Sequence, residues 1–353
     1  MEKILDHLRQ MMKRNEVPTS DKIGVLATMI GTTLPIIIGV AFDALPFSMV
    51  VSLGGFLGGS VGTSNDAKSQ IKDIASAAVA LFFAALSTTI TTGETIERRI
   101  VLCFMLAVAA IIGGYNRYLA ICTGRFIVFS IMALNMSERV APLPLIIGMS
   151  LGGSITFSLF FFLGNYVRSH GWSRSSTRIY SDKTRSERKA RSWFQSLKHL
   201  SGWQFPLRLV PCVFLGSAFE LCFPRHHFLW IMLTIGILCR RQLELMPVKV
   251  SQRAVGAIVG VAATLPMVGH VFSGWQTVIF MMIFSPMAAV LRGHNYLGYT
   301  VVMTPLVISL LSVGKPISEI ILIDRIFATI IGAFIVLFVN FIVSHILPRK
   351  EIA

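Results

Sequence analysis

Acidic residues are scarce in this chain: 17 Asp and Glu stand against 32 Lys and Arg, and charged residues of both signs make up only 14% of 353. A soluble domain of this length needs a charged surface that so few residues cannot cover, so the soluble globular class is excluded. Cysteine is sparse as well. Cys103, Cys122, Cys212, Cys222 and Cys239 all fall in or at the edge of apolar runs and none forms a Cys-x-x-Cys, which argues against a disulfide framework or a zinc site. The first 22 residues are charged and lack an apolar stretch of signal-peptide length, so no cleavable signal is expected. A Walker lysine loop, a Ser/His/Asp arrangement, a His-Glu-x-x-His and a nucleotide fingerprint are all missing. No enzymatic activity, metal or cofactor is therefore expected.

What is present is hydrocarbon. Apolar residues make up 54% of the chain and mean hydropathy is +0.70. They come in runs of about 17–23 residues, the length that crosses a bilayer at 1.5 Å per residue. The runs predict an all-α polytopic membrane protein with about twelve transmembrane helices. The expected spans are 23–42, 46–63, 74–92, 99–114, 118–136 and 143–166, then 207–222, 227–239, 254–270, 274–291, 296–314 and 325–347. Residues 1–22 read as an amphipathic cytoplasmic N-terminus, since Ile4, Leu5, Leu8, Met11 and Met12 recur at helical spacing. Residues 23–166 form a first six-helix repeat and 167–206 a basic linker. Residues 207–347 form a second repeat, and 348–353 a cytoplasmic C-terminus.

Lys and Arg crowd the N-terminus, the 63–73 loop, the linker, the 240–253 loop and Arg349-Lys350. The opposite loops hold only Arg98, Arg99, Arg139, Arg225, Lys315 and Arg325. That asymmetry predicts a multi-pass protein of the inner (plasma) membrane with both termini cytoplasmic. The net charge of +15 is accounted for in this way and no nucleic-acid partner is expected. The linker interleaves its basic residues with Trp172, Trp193, Phe194 and Trp203, which suits anionic lipid at headgroup level.

The two halves carry polar landmarks in the same order: Pro35 with Pro211, Asp43 with Glu220, and Asn116 with Asn295. Six spans per copy predict parallel repeats related by an axis along the membrane normal, with a pathway between the halves. Gly54, Gly55, Gly58 and Gly59, and again Gly256 and Gly260, form small-residue faces for close helix packing. Pro211, Pro266, Pro286 and Pro305 lie within expected spans and should kink them.

The second half contains an Arg followed by a Gly-rich helix (Arg253, Gly256, Gly260). A Tyr-rich helix then runs into Thr-Pro (Tyr296, Tyr299, Thr304-Pro305), and a second Arg-led helix follows (Arg325, Gly332). This ordered series resembles the membrane domain of the fusaric acid resistance and aromatic acid exporter family, which is distantly similar to the plant aluminium-activated malate transporters. The resemblance implies export of organic, often aromatic, anions, with a periplasmic adaptor as a further partner in Gram-negative members. Many bacterial members carry large cytoplasmic domains after each six-span block, and here a linker of about forty residues stands in their place.

Several residues are candidates for that chemistry. Arg125 lies about 10 Å inside its span and is either an anion-binding cation, one member of a structural pair, or a side chain snorkelling to the headgroups. Arg325 and Arg253 are candidates for contact with the substrate, set against an interfacial pair with Asp324 and a positive-inside anchor respectively. Tyr296 and Tyr299 would stack on an aromatic substrate, and Thr304 lies where the second copy aligns with Arg125. Glu220 and Asp43 are candidates for proton coupling, set against plain interfacial acids. Without an ATPase site, the leading expectation is an exporter driven by the proton-motive force. A passive organic-anion channel and a membrane scaffold or lipid-handling component are the alternatives, and a homo-oligomer is compatible with each.

Overall fold

The computed structural model describes residues 10–11, 22–59, 67–90, 95–137, 140–169, 193–195, 197–198, 203–223, 226–239, 246–312 and 316–346. Most of the basic linker and of the N-terminal segment lie outside the described residues. Twelve helices of ten residues or more run through the described residues: α1 (Lys22–Ala41), α2 (Leu45–Gly58), α3 (Ala67–Ile90), α4 (Thr95–Ile112), α5 (Arg117–Ser137), α6 (Pro142–Ser169), α7 (Gln204–Cys222), α8 (Leu229–Leu238), α9 (Met246–Thr264), α10 (Gly274–His294), α11 (Tyr296–Leu311) and α12 (Glu319–Ile346). Among the described residues there is no strand, only an isolated bridge between Val268 and Ile317. The chain is an all-α, multi-pass membrane protein. Six of its helices, α1, α6, α7, α9, α10 and α12, are long and apolar enough to cross a membrane.

Local sequence sets the ends of these helices. Asn116 and Asn295 cap α5 and α11, each accepting backbone N–H bonds on its side-chain oxygen: Leu119 N at 2.8 Å in the first case, Leu297 N and Gly298 N at 2.8 and 3.3 Å in the second. α10 opens on a capping box between Ser273 and Gln276. α9 starts eight residues earlier than expected and stops at Thr264, where a single 3₁₀ turn, Leu265–Met267, takes over. Pro266 therefore ends a helix rather than kinking one, whereas Pro211, Pro286 and Pro305 do sit inside helices.

Helix pairing follows a recurring plan. In the first six, α1 packs on α2 and α6, α2 on α3 and α6, α3 on α5 and α6, and α4 on α5; α5 also touches α6. In the second six, α7 packs on α8 and α12, α8 on α9 and α12, α9 on α11 and α12, and α10 on α11. Between the sets, α4 meets α7 and α10 meets α1, with α5 against α8. A hydrogen bond from Thr32 to Ser285 (2.8 Å) pins α1 to α10.

The two helices at the hub, α2 and α8, are short: 14 and 10 residues. At 1.5 Å per residue α8 is about 15 Å long, half the hydrocarbon thickness, and nine of its ten residues are buried. Around α2, backbones meet with no side chain between them. A Cβ on Gly152 of α6 would collide with the Val51 carbonyl of α2, and one on Gly55 with the Gly31 carbonyl of α1. Gly256 and Gly260 of α9 receive Thr300 and Thr304 of α11 in the same way. Gly152→Val should therefore lower stability by about 2 kcal/mol or more, read as a drop in thermal midpoint of the detergent-solubilised protein. Gly124→Ala, with nothing within 4 Å of the added atom, should be neutral or stabilising.

Candidate functional site

α12 carries Arg325 one and a half turns from its start, and the side chain is 4% exposed. The indole of Trp230, on α8, covers it with the guanidinium carbon 4.0 Å from the ring centroid, a cation–π contact in a desolvated setting. From α9, Arg253 (5% exposed) lies within electrostatic reach of Arg325, as does Tyr296 at the start of α11. Four helices of the second set thus converge two guanidinium groups and a phenol.

These groups lack hydrogen-bond partners among the described residues. Nε and Nη1 of Arg325, Nε of Arg253 and the Tyr296 hydroxyl are all buried and unbonded. The acid next in sequence does not pair with Arg325. Asp324 instead takes a bond from the His226 ring nitrogen (2.8 Å) and one from the His227 backbone N–H (2.9 Å), holding the 226–228 loop onto α12. An uncompensated buried ion costs several kcal/mol even after relaxation, and two guanidinium groups side by side repel. An anion between them would relieve both costs, and the planar fork of arginine suits a carboxylate.

The other residues singled out from sequence lie elsewhere. Tyr299 is one turn from Tyr296, its ring tilted 6.2 Å away, and faces Arg292 (5.8 Å) at the end of α10. It borders the site without reaching its centre. Thr304 is fully buried against Gly260 and donates to the Thr300 carbonyl (3.0 Å), so it packs α11 on α9. Arg125, half-buried on α5, donates to Ser76 of α3 at 2.6 Å, in the first set. Asp43 is exposed in the turn after α1 with φ +52°, a conformation that Asp tolerates better than most residues. Glu220, at the end of α7, forms an ion pair with Arg99 at the start of α4 (2.6 Å), across the junction between the two sets of helices.

Sequence reasoning missed Trp230 and the Arg99 partner of Glu220. Trp230 sat near the start of a run read only as a span, where no local signal set it apart. Arg99 was counted as a loop charge, although α4 begins four residues before it.

Arg325 has a further distinguishing feature. It is the seventh residue of a 28-residue helix, and so is Gly148 of α6. Gly148 packs on Val50 and Phe47 of α2, where Arg325 packs on Trp230 of α8. The cationic cluster belongs to the second set alone. Residues 212–339, which contain Arg253, Tyr296, Arg325 and Trp230, match the family described as fusaric acid resistance protein-like.

This stretch is similar to the fusaric acid resistance protein-like family. It starts inside α7 and ends inside α12, so the family match and the cationic cluster share the same helices. No curated protein and no solved structure matches the chain.

The Arg99–Glu220 pair gives a prediction of its own. Arg99→Met alone should destabilise the protein by about 3 kcal/mol by leaving a buried carboxylate, whereas Arg99→Met with Glu220→Met should fall closer to wild type. Thermal unfolding of the four proteins in one detergent checks this; simple additivity of the two single changes would contradict it.

Proposed function

We propose that the chain is an inner-membrane exporter of organic, preferably aromatic, acids, and that Arg325 and Arg253 hold the substrate carboxylate. The observation that carries this reading is the pair of buried arginines without an acid partner among the described residues. The Tyr296 hydroxyl is a third donor into the same space, and the indole of Trp230 and the ring of Tyr296 offer flat surfaces to a conjugated acid.

The architecture proposed with it is twelve spans in two parallel six-helix repeats, both termini cytoplasmic. Recurrence of the helix pairings from one set to the other supports the duplication. So do the short, buried α2 and α8 at equivalent positions, since shortened hydrophobic segments in matching places of two halves mark transporter binding sites. The distribution of basic residues supports the orientation. Glu220 is the proposed proton-coupling acid: it bridges the two sets through Arg99, and its protonation would release that contact. Asp43, exposed in its turn, takes no part in this scheme.

Proteoliposomes loaded with 4-hydroxybenzoate provide the test. Arg325→Gln and Arg253→Gln should each raise KM about tenfold or more and lower flux, because each removes a charge-assisted bond worth about 1.5–3 kcal/mol. Glu220→Gln should abolish the stimulation of flux by a pH gradient while leaving exchange of substrate across the membrane in place. Unchanged KM in both arginine variants would overturn the site. Wild-type flux indifferent to the gradient would make the protein a passive channel.

A further inference from the structure

Arg125 stands apart from the second-set cluster, and its surroundings point to a different ligand. A groove of about 390 Å³ runs between α3, α4 and α5. Its walls are apolar, with Val79 and Phe83 from α3, Phe104 and Val108 from α4 and Phe126 from α5. The first four of these are more than a third exposed, so the groove opens on the outer surface of the helix bundle, where lipid chains lie. Along α3 it extends from Ser76 to Ser87, a rise of about 16 Å, which matches one leaflet of a hydrocarbon core ~30 Å thick.

One end of the groove is polar and basic. Ser76 lines it, and its hydroxyl accepts the 2.6 Å bond from Arg125. Tyr118, Cys122 and Arg125 follow one another at helical spacing on one face of α5, and Cys122 lines the groove. Lys72, exposed, sits one turn before Ser76 on the same face of α3, and its carbonyl accepts a bond from the Tyr118 hydroxyl (3.1 Å). Beside Arg125 the space next to Gly124 is open. At the same end of α4 the indole of Trp193 donates to the Ile111 carbonyl (3.3 Å), setting an aromatic ring at the level where membrane proteins place them. This is the cytoplasmic end in the proposed topology.

We propose that this groove is a binding site for an anionic phospholipid of the cytoplasmic leaflet. One acyl chain lies between α3, α4 and α5, and the headgroup phosphate lies against Arg125 and Lys72. Two cations at one end of a leaflet-length apolar slot complement an anionic amphiphile at both of its ends. Arg125 then holds a lipid at the rim of the bundle, separate from the substrate site around Arg325.

The test uses the full-length protein in detergent, titrated with phosphatidylglycerol, phosphatidylcholine of the same chains and free palmitate, with bound lipid read by native mass spectrometry. One phosphatidylglycerol per chain should be retained at least tenfold better than phosphatidylcholine. Lys72→Gln with Arg125→Gln should remove that preference. Val108→Trp, which fills the slot from its open side, should lower retention at unchanged charge. Equal retention of the two phospholipids, retention unaffected by the double variant, or displacement of phosphatidylglycerol by palmitate would overturn the proposal. A phosphatidylglycerol with a photoreactive acyl chain supplies a readout on the unmodified protein. Adducts should concentrate in residues 76–87 and 104–112, and adducts spread evenly over the outward-facing helices would equally overturn it.

Discussion

The arrangement turns on two buried positive charges that no acid among the described residues neutralises. Arg253 and Arg325 are held almost out of contact with solvent on facing helices, where each ion carries a desolvation penalty of several kcal/mol and repels the other. The carboxylate best placed by sequence to relieve Arg325 is that of Asp324, and the fold commits it to His226 and His227 instead. In the proposed reading the anion that relieves this cluster is the substrate, which comes and goes. A resident acid would neutralise the site and close it to substrate.

The rest of the fold positions that cluster. α8 is only ten residues long and is buried along nearly its whole length, which lets Trp230 cover Arg325 from the interior side. α9 and α11 approach closely because glycines on one face threonines on the other. That closeness brings Arg253 and Tyr296 to the same depth. The equivalent place in the first set of helices is filled by Gly148 against Val50 and Phe47, a packing solution with no polar atom. The two sets therefore differ in polarity at this place, apolar in the first and cationic in the second. The junction between them is tied at Arg99–Glu220 on one side and Thr32–Ser285 on the other.

Much of this was legible in the chain itself. Apolar runs located the twelve long helices of the described residues because hydrocarbon leaves no other way to satisfy the backbone, and Asn116 and Asn295, landmarks shared by the two halves, cap two of them. The errors arose where local signals were read one residue at a time. Pro266 was expected to kink a helix, but with the left-handed Gly269 three residues later it ends one. Arg253 was left between substrate contact and a positive-inside anchor, and its burial follows from α9 starting eight residues earlier than expected. Arg125, the most conspicuous charge in the sequence, lies away from Arg325 because α5 packs it against Ser76 of α3 in the first set of helices. Which cations lack a partner depends on contacts between helices far apart in the chain. Hydropathy and motif order carry no record of those contacts.

The claim on which this account rests is that Arg325, beneath Trp230, binds the substrate carboxylate. Five tryptophans are present, so a variant keeping only Trp230, with Phe at the other four positions, isolates its emission. Titration with benzoate, excited at the red edge of indole absorption, should give a saturable change in Trp230 fluorescence that Arg325→Gln abolishes. No saturable change, or the same titration curve in Arg325→Gln, would contradict it.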